Sequence, residues 1–166
     1  MSNLQSLLHN HHQEGTIAWI GVRPNKKVPL QATESVALYP EDGIVGDHYQ
    51  GRSKKRQVTI IQEEHLEAMG NILQRNINPE DTRRNLVIKG INILALTNQR
   101  FQIGTEVVLE ATGACHPCSR MESNLGPGGY QAMRGHGGIT AMVIQGGTIR
   151  VGDKVQAISE AETTSQ

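Results

Sequence analysis

Large aromatic side chains and cysteines are scarce in this chain. Its 166 residues include one Phe, one Trp and two Cys, whereas glycine occurs 18 times. Many turn-forming residues and few bulky aromatics suit short strands better than long helices. The length is that of one domain and is sufficient to bury a hydrophobic core.

The sequence also lacks net charge and long apolar runs. Its 16 basic side chains are balanced by 16 acidic ones, so any anion site must be local, and no overall field attracts nucleic acid or an anionic membrane. No apolar run approaches the roughly 20 residues that span a bilayer. Residues 1–14 lack the basic-then-apolar order of a signal peptide, so we expect a cytoplasmic protein without nucleic-acid or membrane partners.

The apolar pattern predicts a mainly β domain. Short β-branched segments predict strands, whereas residues 63–74 carry apolar side chains at helical spacing. Strands are predicted at residues 16–22, 56–62, 85–88, 91–96, 101–111, 139–144 and 148–158. Because short strands would leave exposed edges, we expect a closed or nearly closed β-barrel, an α+β fold with one or two helices.

Polar ends mark the predicted domain boundaries. Residues 1–14 form a polar lead that contains His9, His11 and His12. Three such histidines could hold a metal, although a solvated terminal tract is the better interpretation. We expect one domain over 15–158 and a polar tail over 159–166.

Both cysteines lie in one short stretch, residues 111–121, which reads A-T-G-A-C-H-P-C-S-R-M. It follows a predicted strand and enters a loop, where functional sites are commonly built. In an intracellular protein such a pair is more often reduced, metal-binding or redox-active than a structural disulfide. Both cysteines are therefore candidate ligands or nucleophiles, and Cys115 is either a packed thiol or a redox or sulfur-relay partner.

Six segments of the chain follow one another as G-I-V-G-D-H-Y-Q-G (43–51), R-Q-V-T-I-I (56–61), R-R-N-L-V-I-K-G-I (83–91), F-Q-I-G (101–104), C-H-P-C-S-R-M (115–121) and G-G-T-I-R-V-G-D-K-V (146–155). Together they resemble the MOSC family, named for the C-terminal domain of molybdenum cofactor sulfurases. The resemblance implies a fold centred on a β-barrel and a molybdenum-pterin cofactor (molybdopterin). It also implies that one cysteine, matching Cys118, is a metal ligand or sulfur carrier.

The resemblance does not extend to two domains that larger relatives contain. The chain has no pyridoxal-phosphate desulfurase domain, so covalently bound pyridoxal phosphate is not expected, and no extra N-terminal barrel like that of the amidoxime-reducing relatives. The expected function is therefore sulfur transfer or the reduction of N-hydroxylated compounds, and whether this chain alone is an enzyme stays open. The expected partners are a small-molecule cofactor and substrate, with a redox or sulfur-donor protein as a further candidate.

The chemistry of such a cofactor suggests further site residues. Molybdenum bound by a dithiolene accepts another soft sulfur ligand, which suits Cys118. The phosphate and polar ring need arginines, close backbone and N–H donors. The candidates for this pocket are Gly46, Asp47, His48, Arg84, Asn85, Arg120, Gly128 and Arg134. Asp47 either orients His48 or caps its loop, and His136 is a candidate proton donor to a reducible substrate or an exposed turn residue.

Two other classes of function remain open from the sequence. The C-H-P-C pair could be a thiol-disulfide switch, although the βαβ setting usual for that motif is missing. Alternatively, Cys115 and Cys118 could hold a structural zinc with His48 or His136.

Overall fold

The computed structural model describes residues 3–49 and 53–159. The strands are β1 (Gly15–Val22), β2 (Gln31–Ala32), β3 (Ser35–Tyr39), β4 (Gly43–Ile44), β5 (Val58–Gln62), β6 (Leu86–Lys89), β7 (Arg100–Ile103), β8 (Val107–Ala114), β9 (Ile139–Gln145), β10 (Gly147–Arg150) and β11 (Lys154–Ala157). The α-helices are α1 (Leu4–Leu7), α2 (Glu63–Leu73), α3 (Arg120–Leu125) and α4 (Gly129–Met133). Short 3-10 helices lie at Lys54–Arg56, Pro79–Thr82 and Ile93–Leu96.

Seven strands close into a barrel in the order β1, β6, β5, β9, β8, β7, β11 and back to β1. Pairing of Gly15 with Val155 and of Thr16 with Lys154 makes the closure. Strands β5 and β6 are parallel neighbours, and helix α2 lies in the long crossover that a parallel pair requires. Strand β2 extends one side of β1, and β10, β3 and β4 form a separate small sheet. The predicted closed barrel is confirmed.

Apolar side chains of the strands fill the barrel. Ile20, Ile60, Leu86 and Phe101 are fully buried there. Burial of each such side chain contributes about 1.5–3 kcal/mol to folding. The apolar segments that predicted the strands therefore also supply most of the hydrophobic stabilisation.

A second hydrophobic cluster lies outside the barrel and positions the site. Met69 of α2 packs there with Ile61 of β5 and with Met121, Leu125 and Met133 of α3 and α4. Because α3 begins two residues after Cys118, this cluster fixes the cysteine loop against the barrel wall.

Three predicted strands were wrong in type or extent. Ile93–Leu96 is a 3-10 helix instead of part of a strand, because the side chain of Gln62 takes the N–H of Ile93 that a sheet would use. The segment 101–111 is a hairpin that turns at Gly104 with φ +66°. The segment 148–158 divides at Gly152, with φ +95°, into β10 and β11, which belong to different sheets.

The short helices α1, α3 and α4 have four, six and five residues and were not predicted, whereas α2 matches the predicted helix. Within the described residues, the predicted polar lead includes α1, and the barrel runs from Gly15 to Ala157. The predicted tail lies outside the described residues from position 160 onward, as does the loop at 50–52. No helix in the described ranges is long and apolar enough to cross a bilayer.

Candidate functional site

The cysteine loop joins the end of β8 to the start of α3. Cys115 is 4% exposed, and its main-chain N–H donates to the carbonyl of Gly138 at 2.8 Å. Cys118 is exposed, and its carbonyl accepts from the N–H of Met121 at 3.0 Å as α3 begins. Both thiols are free. The loop therefore holds one thiol inward and presents the other to solvent.

Arg84 ties this loop to its surroundings. Its Nε donates to the carbonyl of Gly137 at 2.8 Å, and its Nη1 donates to that of Thr82 at 3.1 Å. Its Nη2 donates to the carbonyls of Cys115 and His116 at 3.2 and 3.4 Å. Arg84 is 6% exposed. Burial lowers the pKa of Arg84, while the nearby sulfur groups oppose that shift. The guanidinium therefore acts mainly as a clamp on the loop.

Two glycines allow the loop to lie so close to the barrel. A Cβ on Gly137 would overlap the carbonyl oxygen of Cys115. A Cβ on Gly138, which has φ +85°, would overlap the carbonyl oxygen of Ile60. Gly137 and Gly138 thus make a tightly packed contact with strand β5 and the cysteine loop.

Replacing Gly137 by alanine is expected to displace the cysteine loop and to reduce the free energy of unfolding by roughly 1–3 kcal/mol, the usual cost of overpacking. Gly113→Ala is the matched control, because a Cβ there meets no atom within 4 Å. Urea unfolding of the two variants measures the difference. Equal stability of both variants would show that the loop moves away from Gly137 freely.

A cavity of about 370 Å³ opens beside the loop. Of the described residues, both cysteines, a single carboxylate (Asp47) and five arginines line it. The arginines are Arg23, Arg56, Arg83, Arg84 and Arg120. A nearly neutral chain thus concentrates positive charge at one place, as a local anion site requires.

Arg23 carries two buried donor groups that have no hydrogen-bond partner in the described part of the chain. Its Nη2 donates to Nε2 of His48 at 2.8 Å, while its Nε and Nη1 are buried without a hydrogen-bond partner among the described residues. Burial lowers the pKa of Arg23; Asp47 opposes this shift and Arg120 adds to it. Buried donors in folded proteins are almost always paired. The two unpartnered donors of Arg23 are therefore available to an acceptor such as an anionic ligand.

Asp47 and Asn85 organise the cavity wall. The carboxylate of Asp47 accepts from the N–H of Arg23 at 2.9 Å and from that of Tyr49 at 3.3 Å. The side-chain amide of Asn85 donates to Asp47 at 3.2 Å and its oxygen accepts from the hydroxyl of Thr59 at 3.0 Å. These contacts are those of a loop cap. His48 contacts Arg23, and it must accept there because a guanidinium only donates.

Five predicted site residues, including His48, lie outside this cavity lining. His136 packs edge-on against His65, with ring centroids 5.1 Å apart, and its Nδ1 lies 3.0 Å from the carbonyl of Ala132. Arg134 is exposed and donates to Gln131. Gly46 and Gly128 both have positive φ, at +87° and +88°, and shape neighbouring turns. The cavity gathers Cys115, Cys118, Asp47, Arg84, Asn85 and Arg120 from the predicted set.

Sequence reasoning missed Arg23, Arg56 and Arg83. Arg23 follows the first predicted strand, and Arg56 opens the segment predicted as the second strand. A signal was available, because each of these arginines flanks a barrel strand, as Arg84 does. Strand pairing, which the sequence does not state, is what brings those strand ends together.

A closed zinc centre lacks support in the described part of the chain. No group of three or more His, Cys, Asp or Glu side chains is gathered there in a way that could hold a metal. His11, from the histidine-rich lead, instead contacts the side chain of Gln99 at 2.9 Å. A site that uses one thiolate and a metal carried by its own cofactor needs no such group.

Comparisons with known proteins agree with this architecture. Solved structures with the same fold include the YuaD protein from Bacillus subtilis, with 19% identity, a TM-score of 0.78, and coverage of 90% of this chain and 99% of that one. YiiM from Geobacillus stearothermophilus has 18% identity and a TM-score of 0.67, with 87% and 75% of the two chains covered. YiiM from Escherichia coli has 16% identity and a TM-score of 0.65, with 87% and 70% covered. No curated protein matches the sequence significantly.

The family comparison covers most of the chain. The model of the MOSC domain matches residues 45–156, which include the cysteine loop, Arg84 and most of the barrel strands. The chain therefore belongs to the MOSC domain family, which is associated with the molybdenum cofactor.

Proposed function

We propose that this protein binds a molybdenum-pterin cofactor in the arginine-lined cavity, with Cys118 as metal ligand or sulfur carrier. One observation carries the proposal: a cavity of about 370 Å³ brings an exposed thiol together with five arginines. Its size lies at the lower end of small-molecule sites, which measure roughly 300–1,000 Å³.

The charge of the cavity fits the cofactor's phosphate. Two donors of Arg23 are buried without a described partner, and Arg120 is close enough to affect its pKa. A phosphate would accept from such donors through charge-assisted hydrogen bonds and would offset the repulsion between the two cations. Arg23 and Arg120 are thus the residues proposed to hold the phosphate, with Arg56 and Arg83 adding to the local field.

The thiol fits the metal. A soft sulfur donor suits molybdenum, and Cys118 is the exposed thiol of the cavity, whereas Cys115 is buried. When bound, the cofactor supplies a two-electron redox centre. The chain's own contribution is to hold Cys118 in place, through the clamp of Arg84 on the preceding carbonyls and through the docking of α3 on α2.

The proposed reactions are sulfur transfer from Cys118 or reduction of an N-hydroxylated compound. Both need a partner outside this chain, a sulfur donor or an electron donor, and we propose that the protein meets it in the cytoplasm. His136 remains a candidate proton donor only if a substrate reaches it, because it lies outside the described cavity lining.

Reconstitution tests the proposal. The purified protein is incubated anaerobically with the molybdenum-pterin cofactor and desalted, and bound molybdenum and pterin are then measured together. We expect both to be retained in equal amounts. Retention of neither, with a reversible disulfide between the cysteines as the only reaction observed, would instead support the thiol-disulfide function.

Replacing Arg23 by lysine is expected to weaken cofactor binding by about tenfold, because lysine lacks the planar fork that donates in two directions. Equilibrium titration with the cofactor measures the dissociation constant. Arg150→Lys, on β10 and outside the described cavity lining, is the matched control. An unchanged constant for Arg23→Lys would remove Arg23 from the anion site.

Replacing Cys115 by serine is expected to leave the reduced protein folded but to speed its inactivation by peroxide. The exposed thiol of Cys118 is oxidised first, and without Cys115 it cannot be captured as a disulfide, so it proceeds to sulfinic acid. Mass spectrometry should show loss of two hydrogens in the wild-type peptide and sulfinic acid in the variant. If peroxide inactivated both proteins at the same rate, Cys115 would be a packed thiol without a redox role.

A further inference from the structure

Cys118 borders a second concave surface besides the arginine-lined cavity. An open groove of about 530 Å³ lies between the turn at 117–119 and the start of α4. The residues that line it are Pro117, Cys118, Ser119, Glu122, Tyr130 and Gln131. Among the described residues, Cys118 alone lines both surfaces. Cys118 therefore lies where the two surfaces meet.

The groove differs in chemistry from the cavity. Its lining contains no cation and is mainly apolar, and it includes Pro117 and Tyr130. Tyr130 is 39% exposed, so part of a large side chain is accessible to solvent in the groove that Cys118 also lines. An aromatic ring in that position can stack against another planar group.

Glu122 adds a fixed negative charge to the groove. One carboxylate oxygen accepts from the N–H of Gly128 at 3.0 Å and the other accepts from the N–H of Tyr130 at 3.1 Å. These main-chain hydrogen bonds lower the pKa of Glu122, so the side chain is anionic at neutral pH. The groove therefore carries negative charge, whereas the cavity carries an excess of positive charge.

We propose that the Tyr130 groove binds a planar organic group of the substrate that carries no negative charge, stacked on Tyr130, so that the substrate's reactive atom meets the sulfur of Cys118 or the centre held there. This assignment deepens the proposed function and rests on it for the role of Cys118. The groove size is within the roughly 300–1,000 Å³ of small-molecule sites. Tyr130 then determines which substrates bind, and the cofactor's phosphate does not compete with them.

Alkylation kinetics test the groove without the cofactor. Wild-type protein is treated with N-benzylmaleimide or N-methylmaleimide, and fragment mass spectrometry assigns the adduct to Cys118 rather than to buried Cys115. The thiolate sulfur bonds to one alkene carbon, the alkene becomes a single bond, and the other carbon takes a proton from water. We expect the benzyl reagent to saturate and to react about tenfold faster at low concentration, equivalent to about 1.4 kcal/mol, after normalisation to free cysteine.

Variants assign that preference to the ring. Tyr130→Ala should abolish the preference for the benzyl reagent and Tyr130→Phe should retain it. Tyr39→Ala, at a similarly exposed tyrosine on β3, should leave the preference unchanged. A benzyl preference that is absent in wild type, or that survives in Tyr130→Ala, overturns the proposal even if the cofactor binds normally. Failure of cofactor binding with an intact benzyl preference would overturn the proposed function and leave the groove assigned.

Discussion

Replacing Cys118 by serine is expected to abolish retention of molybdenum while leaving the protein folded. The thiol is exposed and makes no side-chain hydrogen bond in the described structure that folding would lose. A serine hydroxyl is a hard donor that stays protonated at neutral pH, whereas molybdenum in a sulfur-rich cofactor binds a soft thiolate. Molybdenum per chain, measured after anaerobic loading and desalting, should fall to the background level of protein that was never loaded.

The matched control is Ser119→Ala, a change of similar size at the adjacent exposed position. It should retain the metal. Circular dichroism and the midpoint of urea unfolding should be the same for the two variants and the wild type. Full molybdenum content in Cys118→Ser would exclude this thiol as the metal ligand.

Replacing Arg84 by methionine is expected to lower the free energy of unfolding by about 3 kcal/mol, because buried carbonyls that lose their donor each cost about 1–3 kcal/mol, part of which is offset by removing a buried charge. The carbonyls of Thr82, Cys115, His116 and Gly137 would all lose Arg84 as a donor. Arg84→Lys keeps the charge but not the fork, so we expect an intermediate loss of stability together with weaker cofactor binding. Urea unfolding and cofactor titration measure the two effects.

Arg100→Met serves as the control for Arg84. Arg100 pairs with Glu110 at 3.4 Å, and both side chains are about one-third exposed. Such pairs contribute about 0–1 kcal/mol, so the loss should be small. If Arg84→Met were no less stable than Arg100→Met, the loop carbonyls would have found other donors, and Arg84 would not be the clamp of the site.

The barrel could be predicted because the local sequence of each strand is typical of a buried strand. Val58–Gln62 and Ile139–Gln145 are runs of β-branched and aliphatic residues, and they are buried where they pair. The segment ending at Leu96 has the same composition but is a 3-10 helix. A side chain from β5 replaced the sheet partner there, and a local pattern does not reveal such a distant contact.

The cysteines could be found from the sequence, but the charge around them could not be found completely. The two cysteines stood out because they share one loop, and the family resemblance then singled out Cys118. Arg84 stood out as one of two adjacent arginines before a strand. Arg23 lies 61 positions before Arg84 in the printed sequence, and it reaches the cavity only because β1 pairs with β6. The buried, unpartnered state of its donors depends on that pairing and has no local sequence signal.

Protection of Cys118 by the bound cofactor is the most direct test that the thiol and the arginine-lined cavity form one site. Iodoacetamide alkylation of Cys118 is followed by mass spectrometry in samples of increasing molybdenum content, with buried Cys115 as the internal reference. We expect the fraction of alkylated Cys118 to fall in proportion to the molybdenum bound. Unchanged alkylation at full molybdenum content would contradict the proposed site.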